Sequence, residues 1–173
     1  RDFVSPVKSV GHGITCVADL ENNDEVYRVM LELAQDVGHR LRVHDLSARG
    51  VQVYVRGNDL FGAQFQCKLP VQTQLPGEIA AFGFNVFKEK YHWSTKVRAV
   101  CIRAIDLVPK NQSAQLNLFD DVKKRMQRER LQDAVEDIRS RFGKRALTCA
   151  TLLGDLKMPD DGRDLVRMPG MMY

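Results

Sequence analysis

Two runs of strict alternation, separated by a single turn, constrain the fold of this chain more than any other feature. Val51, Val53 and Val55 alternate with Gln52, Tyr54 and Arg56, and Phe65, Cys67 and Leu69 alternate with Gln64, Gln66 and Lys68. A period of two sends successive side chains to opposite faces of a strand. Gly57-Asn58-Asp59 between the runs is a turn signal. Together they predict an antiparallel hairpin with one apolar face for a core and one polar face free for something else.

The flanking segments fit around this hairpin. From Val7 to Leu20, Val10, Ile14, Cys16, Ala18 and Leu20 recur at even spacing, which predicts a first strand. Asn22 and Glu25 stand where the two halves of a capping box would. Val26, Met30, Leu33, Val37 and Leu41 follow at helical spacing and predict a helix of about five or six turns. Pro76 suits the first position of a second helix, whose buried side holds Ile79, Phe82, Val86 and Phe87. Lys96 to Ile105 reads as a fourth strand. This order predicts an α+β fold, a ferredoxin-like β-α-β-β-α-β arrangement. Its four-stranded antiparallel sheet carries two helices on one face and leaves the other open.

Residues 1–108 therefore hold the domain, and the composition then changes. Residues 109–121 read as a linker carrying the run Gln115-Leu116-Asn117-Leu118-Phe119. Residues 122–153 read as a long helix to Phe142 and a short strand or turn after Gly143, a natural helix stop. The helix is basic in its first half (Lys123, Lys124, Arg125, Arg128, Arg130). Its second half is striped with Leu131, Ala134 or Val135, Ile138 and Phe142. From Gly154 to Tyr173, Pro, Gly, Asp and Met dominate, which predicts a disordered tail or one ordered by a partner.

Enzyme motifs are nearly absent. No phosphate-loop pattern, HExxH run or nucleophile elbow occurs. The four histidines make no metal spacing, and Asp120-Asp121 and Asp160-Asp161 are adjacent pairs suited to solvent or to capping. No catalytic residue, metal site or cofactor site is expected in this chain. Cys16, Cys67, Cys101 and Cys149 lie far apart without a CxxC pair. Reduced thiols in strand-like runs fit a reducing compartment, the cytoplasm. No apolar run approaches the roughly 20 residues of a membrane helix, and a monomer without membrane contact is expected.

Binding chemistry is better represented. The net charge of +4 permits a polyanionic partner. The open face should show Gln52, Tyr54, Arg56, Gln64, Gln66 and Lys68, with Lys96 and Arg98 from the last strand. Amides and cations in ranks can hold a phosphate backbone, whereas base stacking would need more rings than Tyr54 supplies. In Lys8-Ser9-Val10-Gly11-His12-Gly13, two glycines let the backbone approach a ligand, and Lys8, Ser9 and free amides could hold a phosphate. A solvated face and an ordinary glycine bulge are the plain alternatives. The three large apolar residues of QLNLF sit in a polar stretch, where the domain core does not reach. They suit either a short peptide anchored in a partner's pocket or a hook folded back on its own domain.

In order, KSVGHG, VQVYVRGNDL with FQCKLP, KVRAVCIRAIDLVP, QLNLFDD and RLQDAVEDIRSRFGKRAL resemble the C-terminal part of bacterial Y-family translesion DNA polymerases, from about Lys8 to Leu153. In that family the region is the little finger, a four-stranded sheet with two helices that lies in the DNA major groove, followed by a peptide that docks on the sliding clamp. The resemblance implies that Lys8, Ser9, Gly11, His12 and Gly13 contact phosphate, although the family often has arginine in place of His12. It implies the same of Arg56, Gln64 and Gln66 on the hairpin and of Lys96 and Arg98 on the last strand. Gln115, Leu116, Leu118 and Phe119 would bind the clamp, with Asn117 departing from the usual Ser or Asp. The implied partners are duplex primer-template DNA and the bacterial sliding clamp. The magnesium ions of a full-length polymerase would belong to a palm that this chain lacks. A catalytically inactive relative acting as a clamp adaptor, or an unrelated ferredoxin-like module, would share these features.

Overall fold

The structure, a computed structural model, describes residues 7–112 and 122–159. The QLNLF run and residues 160–173 lie outside the described residues. The elements β1 (Ser9–Leu20), α1 (Asn23–Val43), β2 (Leu46–Gly57), β3 (Gly62–Thr73), α2 (Pro76–Lys90) and β4 (Val97–Pro109) follow one another in the predicted order. The strands form one antiparallel sheet with the lateral order β1-β4-β2-β3. β1 and β2 thus run parallel with β4 between them, and β3 and β4 run parallel with β2 between them. Two split β-α-β units interleave to make the sheet.

The helices lie where their sequence signals put them. The Asn22 side chain accepts the Glu25 backbone N–H at 2.9 Å, and the Glu25 carboxylate accepts the Glu21 N–H at 2.8 Å. The first bond satisfies an N–H that the helix leaves unpaired, and the second ties the residue before the N-cap to the first turn. α1 buries Val26, Met30, Leu33, Val37 and Leu41; α2 buries Ile79, Val86 and Phe87, with Phe82 half-buried. Gly83 brings α2 close to the sheet: a Cβ there would lie 3.0 Å from Ile102 Cδ1 and 3.0 Å from Val53 Cγ2. Val51, Val53 and Ile102 therefore look into the helices, and each is fully buried. Burial of such a side chain stabilises the fold by roughly 1.5–3 kcal/mol.

β1 departs from simple alternation near its end. Its register with β4 runs from Ser9 opposite Ile105 to Thr15 opposite Ala99, then jumps to Leu20 opposite Val97. The extra residues bulge. Cys16 and Leu20 stay buried, while Ala18, expected on the same side, is exposed.

The segment after the sheet folds back on the helical side. α3 (Val122–Phe142) does not bury its expected stripe: Leu131 is 66% and Phe142 75% exposed. Polar side chains hold it to α1 instead. His39 Nδ1 lies 2.7 Å from Glu136, Arg139 donates to Gln35 Oε1 at 2.9 Å, and Arg42 pairs with Asp133. Two short 3₁₀ turns, Lys144–Ala146 and Ala150–Leu152, occupy the stretch read as a strand or turn. Lys144 bridges Glu32 (2.7 Å) and Asp36 (3.0 Å) of α1. The chain then reaches β1, where Leu152 is buried, Leu156 and Met158 pack on the core, and the Val17 N–H donates to Lys157 O at 2.8 Å. Composition marks Gly154 as the start of a disordered tail, yet residues 154–159 are fixed in place. The two apolar anchors and the Lys157–Glu25 ion pair (2.9 Å) that fix them are too sparse to show in composition. Among the described residues, no helix is long and apolar enough to cross a membrane.

Candidate nucleic-acid interface

On the sheet face away from α1 and α2, the register lines up four rows of neighbours. They are Ser9–Ile105–Gly50–Lys68, Gly11–Arg103–Gln52–Gln66, Gly13–Cys101–Tyr54–Gln64 and Thr15–Ala99–Arg56–Gly62. None of these positions is a carboxylate. Gln64, Gln66, Lys68 and Arg103 are exposed and Gln52 and Arg56 are half-buried, as alternation requires on a face with no helix over it.

Arg103 is the cation at the middle of this face, and sequence reasoning passed it over by placing the basic end of β4 at Lys96 and Arg98. The signal was available. Val100, Ile102 and Ala104 point to the core, so Cys101 and Arg103 must point away. Gly11 makes room for it: a Cβ at Gly11 would lie 3.1 Å from Arg103 Cγ and 3.2 Å from its Nε. The guanidinium stem thus lies flat across β1. Among the described residues no carboxylate pairs with Arg103 or with Lys68.

The other named residues fall into distinct settings. Lys8 is exposed just before β1, and Ser9 and Gly13 stand in the rows with Gly11. His12 has the opposite parity. It lies opposite Ile102 on the helix-covered side, with Nδ1 2.7 Å from Asp36 Oδ2 of α1. The structure therefore separates His12 from Gly11 and Gly13. Arg56 Nη2 donates to Thr15 Oγ1 at 3.3 Å. Lys96 and Arg98 are engaged by carboxylates at the far end of β1: Lys96 Nζ lies 2.6 Å from Glu21 Oε1, and Arg98 Nη1 lies 3.1 Å from Asp19 Oδ1. Gln115 to Phe119 lie outside the described residues.

The titrating groups follow these contacts. The Arg98 hydrogen bond, helped by one from Asn58, holds the Asp19 carboxyl below its ordinary range. The Glu21 carboxylate raises the Lys96 ammonium. Burial raises the Cys101 thiol against the opposing effect of Arg103. Cys101 therefore stays neutral and adds no negative charge beside Arg103. Burial also pushes Cys16 up to about 11. Among the described residues no three His, Cys, Asp or Glu side chains come together as metal ligands.

Residues 7–118 match the impB/mucB/samB family C-terminal domain. The chain belongs to this family. It is 36% identical over 155 residues to a DNA polymerase IV of Acetivibrio thermocellus, covering 90% of this chain and 39% of that protein. It is 32% identical over 151 residues to DNA polymerase IV 2 of Bacillus subtilis, covering 84% of this chain and 35% of that one. The chain thus spans less than two fifths of the length of these two relatives. A solved structure described as a complex of beta-clamp processivity factor and little finger domain of PolIV aligns with 65% of this chain and 99% of that chain, at 18% identity and a TM-score of 0.49. The family match runs unbroken through all four strands and both covering helices, the elements that build the open face.

Proposed function

We propose that this chain is the DNA-gripping and clamp-tethering C-terminal region of a lesion-bypass DNA polymerase. The observation that carries the first half is the row Gly11–Arg103–Gln52–Gln66. It sets a guanidinium with no carboxylate neighbour on the row between a glycine and two amides, at the centre of a face the helices leave bare. Arg103, Lys68 and Lys8 supply charge toward phosphate oxygens, and Gln52, Gln64 and Gln66 supply directional hydrogen bonds. These contacts carry no base sequence, as suits an enzyme that must hold any duplex. The two magnesium ions of such a polymerase would be held by carboxylates of a separate palm, and no catalytic step is assigned to the residues of this chain.

The second half rests on the sequence run Gln115 to Phe119. The glutamine amide fixes the orientation of the peptide, and Leu118 and Phe119 fill an apolar pocket of the sliding clamp. Tethering raises the local concentration of the enzyme at the primer end, so modest contacts on the sheet face suffice. The work takes place in the cytoplasm, where a thiol such as Cys16 stays reduced.

Binding to a duplex of arbitrary sequence, measured across salt concentrations, tests the first half. Affinity should fall steeply, with a log–log slope of about −0.9 for each phosphate neutralised. An affinity indifferent to salt would end the phosphate reading. For the second half, Leu118→Ala with Phe119→Ala should abolish binding to a bacterial sliding clamp and leave the melting temperature unchanged. A fall of many degrees would make the run part of the fold instead.

A further inference from the structure

The open face changes character toward the β2–β3 turn. Tyr54 is 38% exposed, and its ring lies along β3 over Gly62, where a Cβ would come within 2.5 Å of its hydroxyl oxygen and 2.7 Å of Cε2. Beyond Gly62 stand Phe61, 81% exposed, and Leu60, 77% exposed. Leu60 has φ +71°, a left-handed conformation that a branched side chain adopts only under constraint. The constraint is visible. Gly57 N–H donates to Phe61 O (2.9 Å), Phe61 N–H to Asp59 Oδ1 (3.1 Å) and Asn58 N–H to Lys96 O (3.0 Å), while Asn58 Nδ2 donates to Asp19 Oδ2 (3.1 Å). A braced turn holds two large apolar side chains out in water, at the end of the face where the Tyr54 ring lies over Gly62.

Charge distinguishes this end from the rest of the face. Lys96 is held by Glu21, Arg98 by Asp19, and Arg56 reaches Thr15. Two of these cations, Lys96 and Arg98, are held by carboxylates and Arg56 meets only an uncharged hydroxyl, whereas Arg103 and Lys68, farther along the sheet, have no polar partner among the described residues. A duplex seated on the face would meet charge at one end and an apolar projection at the other. The chemistry that suits the projection is the sugar and base edges of a groove, where apolar wedges such as Phe and Leu are at home.

We propose that Tyr54, Leu60 and Phe61 form an apolar finger that enters a groove of the bound duplex and adds affinity independent of salt. This rests on the duplex-binding reading above. Duplex binding by the whole chain is measured across salt for wild type, for Leu60→Ala with Phe61→Ala, and for Arg103→Ala. The double variant should bind about tenfold more weakly at every salt concentration, a loss of about 1.4 kcal/mol, with the wild-type slope. Arg103→Ala should flatten the slope by about one. Phe61→Trp gives a second readout: its added fluorescence should shift on addition of duplex, over the constant signal of Trp93. Equal affinity of the double variant and wild type, with no shift at Trp, would overturn the finger and leave the phosphate reading standing. A loss accompanied by a flattened slope would also overturn it, since the tip would then act through its charged neighbours. A wild-type chain that bound no duplex at any salt would sink both readings.

Discussion

The two faces of one sheet carry opposite kinds of residue on the same backbone. On the covered side, Val51, Val53, Val55, Val100, Ile102 and Ala104 are buried against α1 and α2, and shape decides what each position tolerates. On the bare side, the residues between them are Gln52, Tyr54, Arg56, Cys101 and Arg103, and small residues leave the surface shallow. Stability should therefore depend on one parity of each strand and binding on the other. Residues one position apart should fail in different assays.

The largest effect that could break this contrast is Ile102→Ala. The side chain is fully buried under Gly83, and its truncation should destabilise the fold by roughly 2–5 kcal/mol in urea or thermal unfolding. The duplex affinity of the fraction still folded should not change. The adjacent Arg103→Ala should do the reverse. Duplex affinity drops and the salt slope flattens, while stability stays within about 0.5 kcal/mol of wild type, as for surface changes generally. If Arg103→Ala unfolded the domain, the two faces would not be separable.

The smallest effect concerns Asp19. Its pKa is lowered in the fold by Arg98, so its contribution to stability is present above the unfolded value of 3.8 and is lost as pH falls through the lower folded one. Acid titration of stability should therefore show a small loss beginning near that value, and Asp19→Asn should remove it. The same variant frees Arg98, so it should tighten duplex binding modestly at low salt. Weaker binding in Asp19→Asn would mean that the Arg98–Asp19 pair shapes the interface rather than withholding a cation from it.

Much of this was legible in the residues because period and capping are local properties. The alternation of Val51 to Val55 and the Asn22 and Glu25 cap each specify their element without help from elsewhere. The settings of Lys96 and Arg98 were not legible. The carboxylates that engage them, Glu21 and Asp19, lie more than seventy residues away in sequence and are brought near by the β1 bulge. The setting of His12 was hidden for a related reason: the resemblance groups it with Gly11 and Gly13, whereas strand parity turns its side chain toward Asp36 of α1. The stripe of α3 misled in another way. Helical spacing shows which residues share a side and says nothing of whether another surface comes to meet them.

The attachment of residues 144–159 has a consequence for how the domain behaves when shortened. A terminal strand offers its outward amides and carbonyls to any passing chain, and proteins guard against this. Here the Gly11 carbonyl accepts from Arg40 Nη1 at 3.0 Å, and the Val17 amide is taken by Lys157. Cutting the polypeptide after Gly143 would strip the second guard and uncover the floor beneath Leu152, Leu156 and Met158. Such a truncated protein would carry a sticky border along β1 and self-associate on concentration, while the longer form stays dispersed.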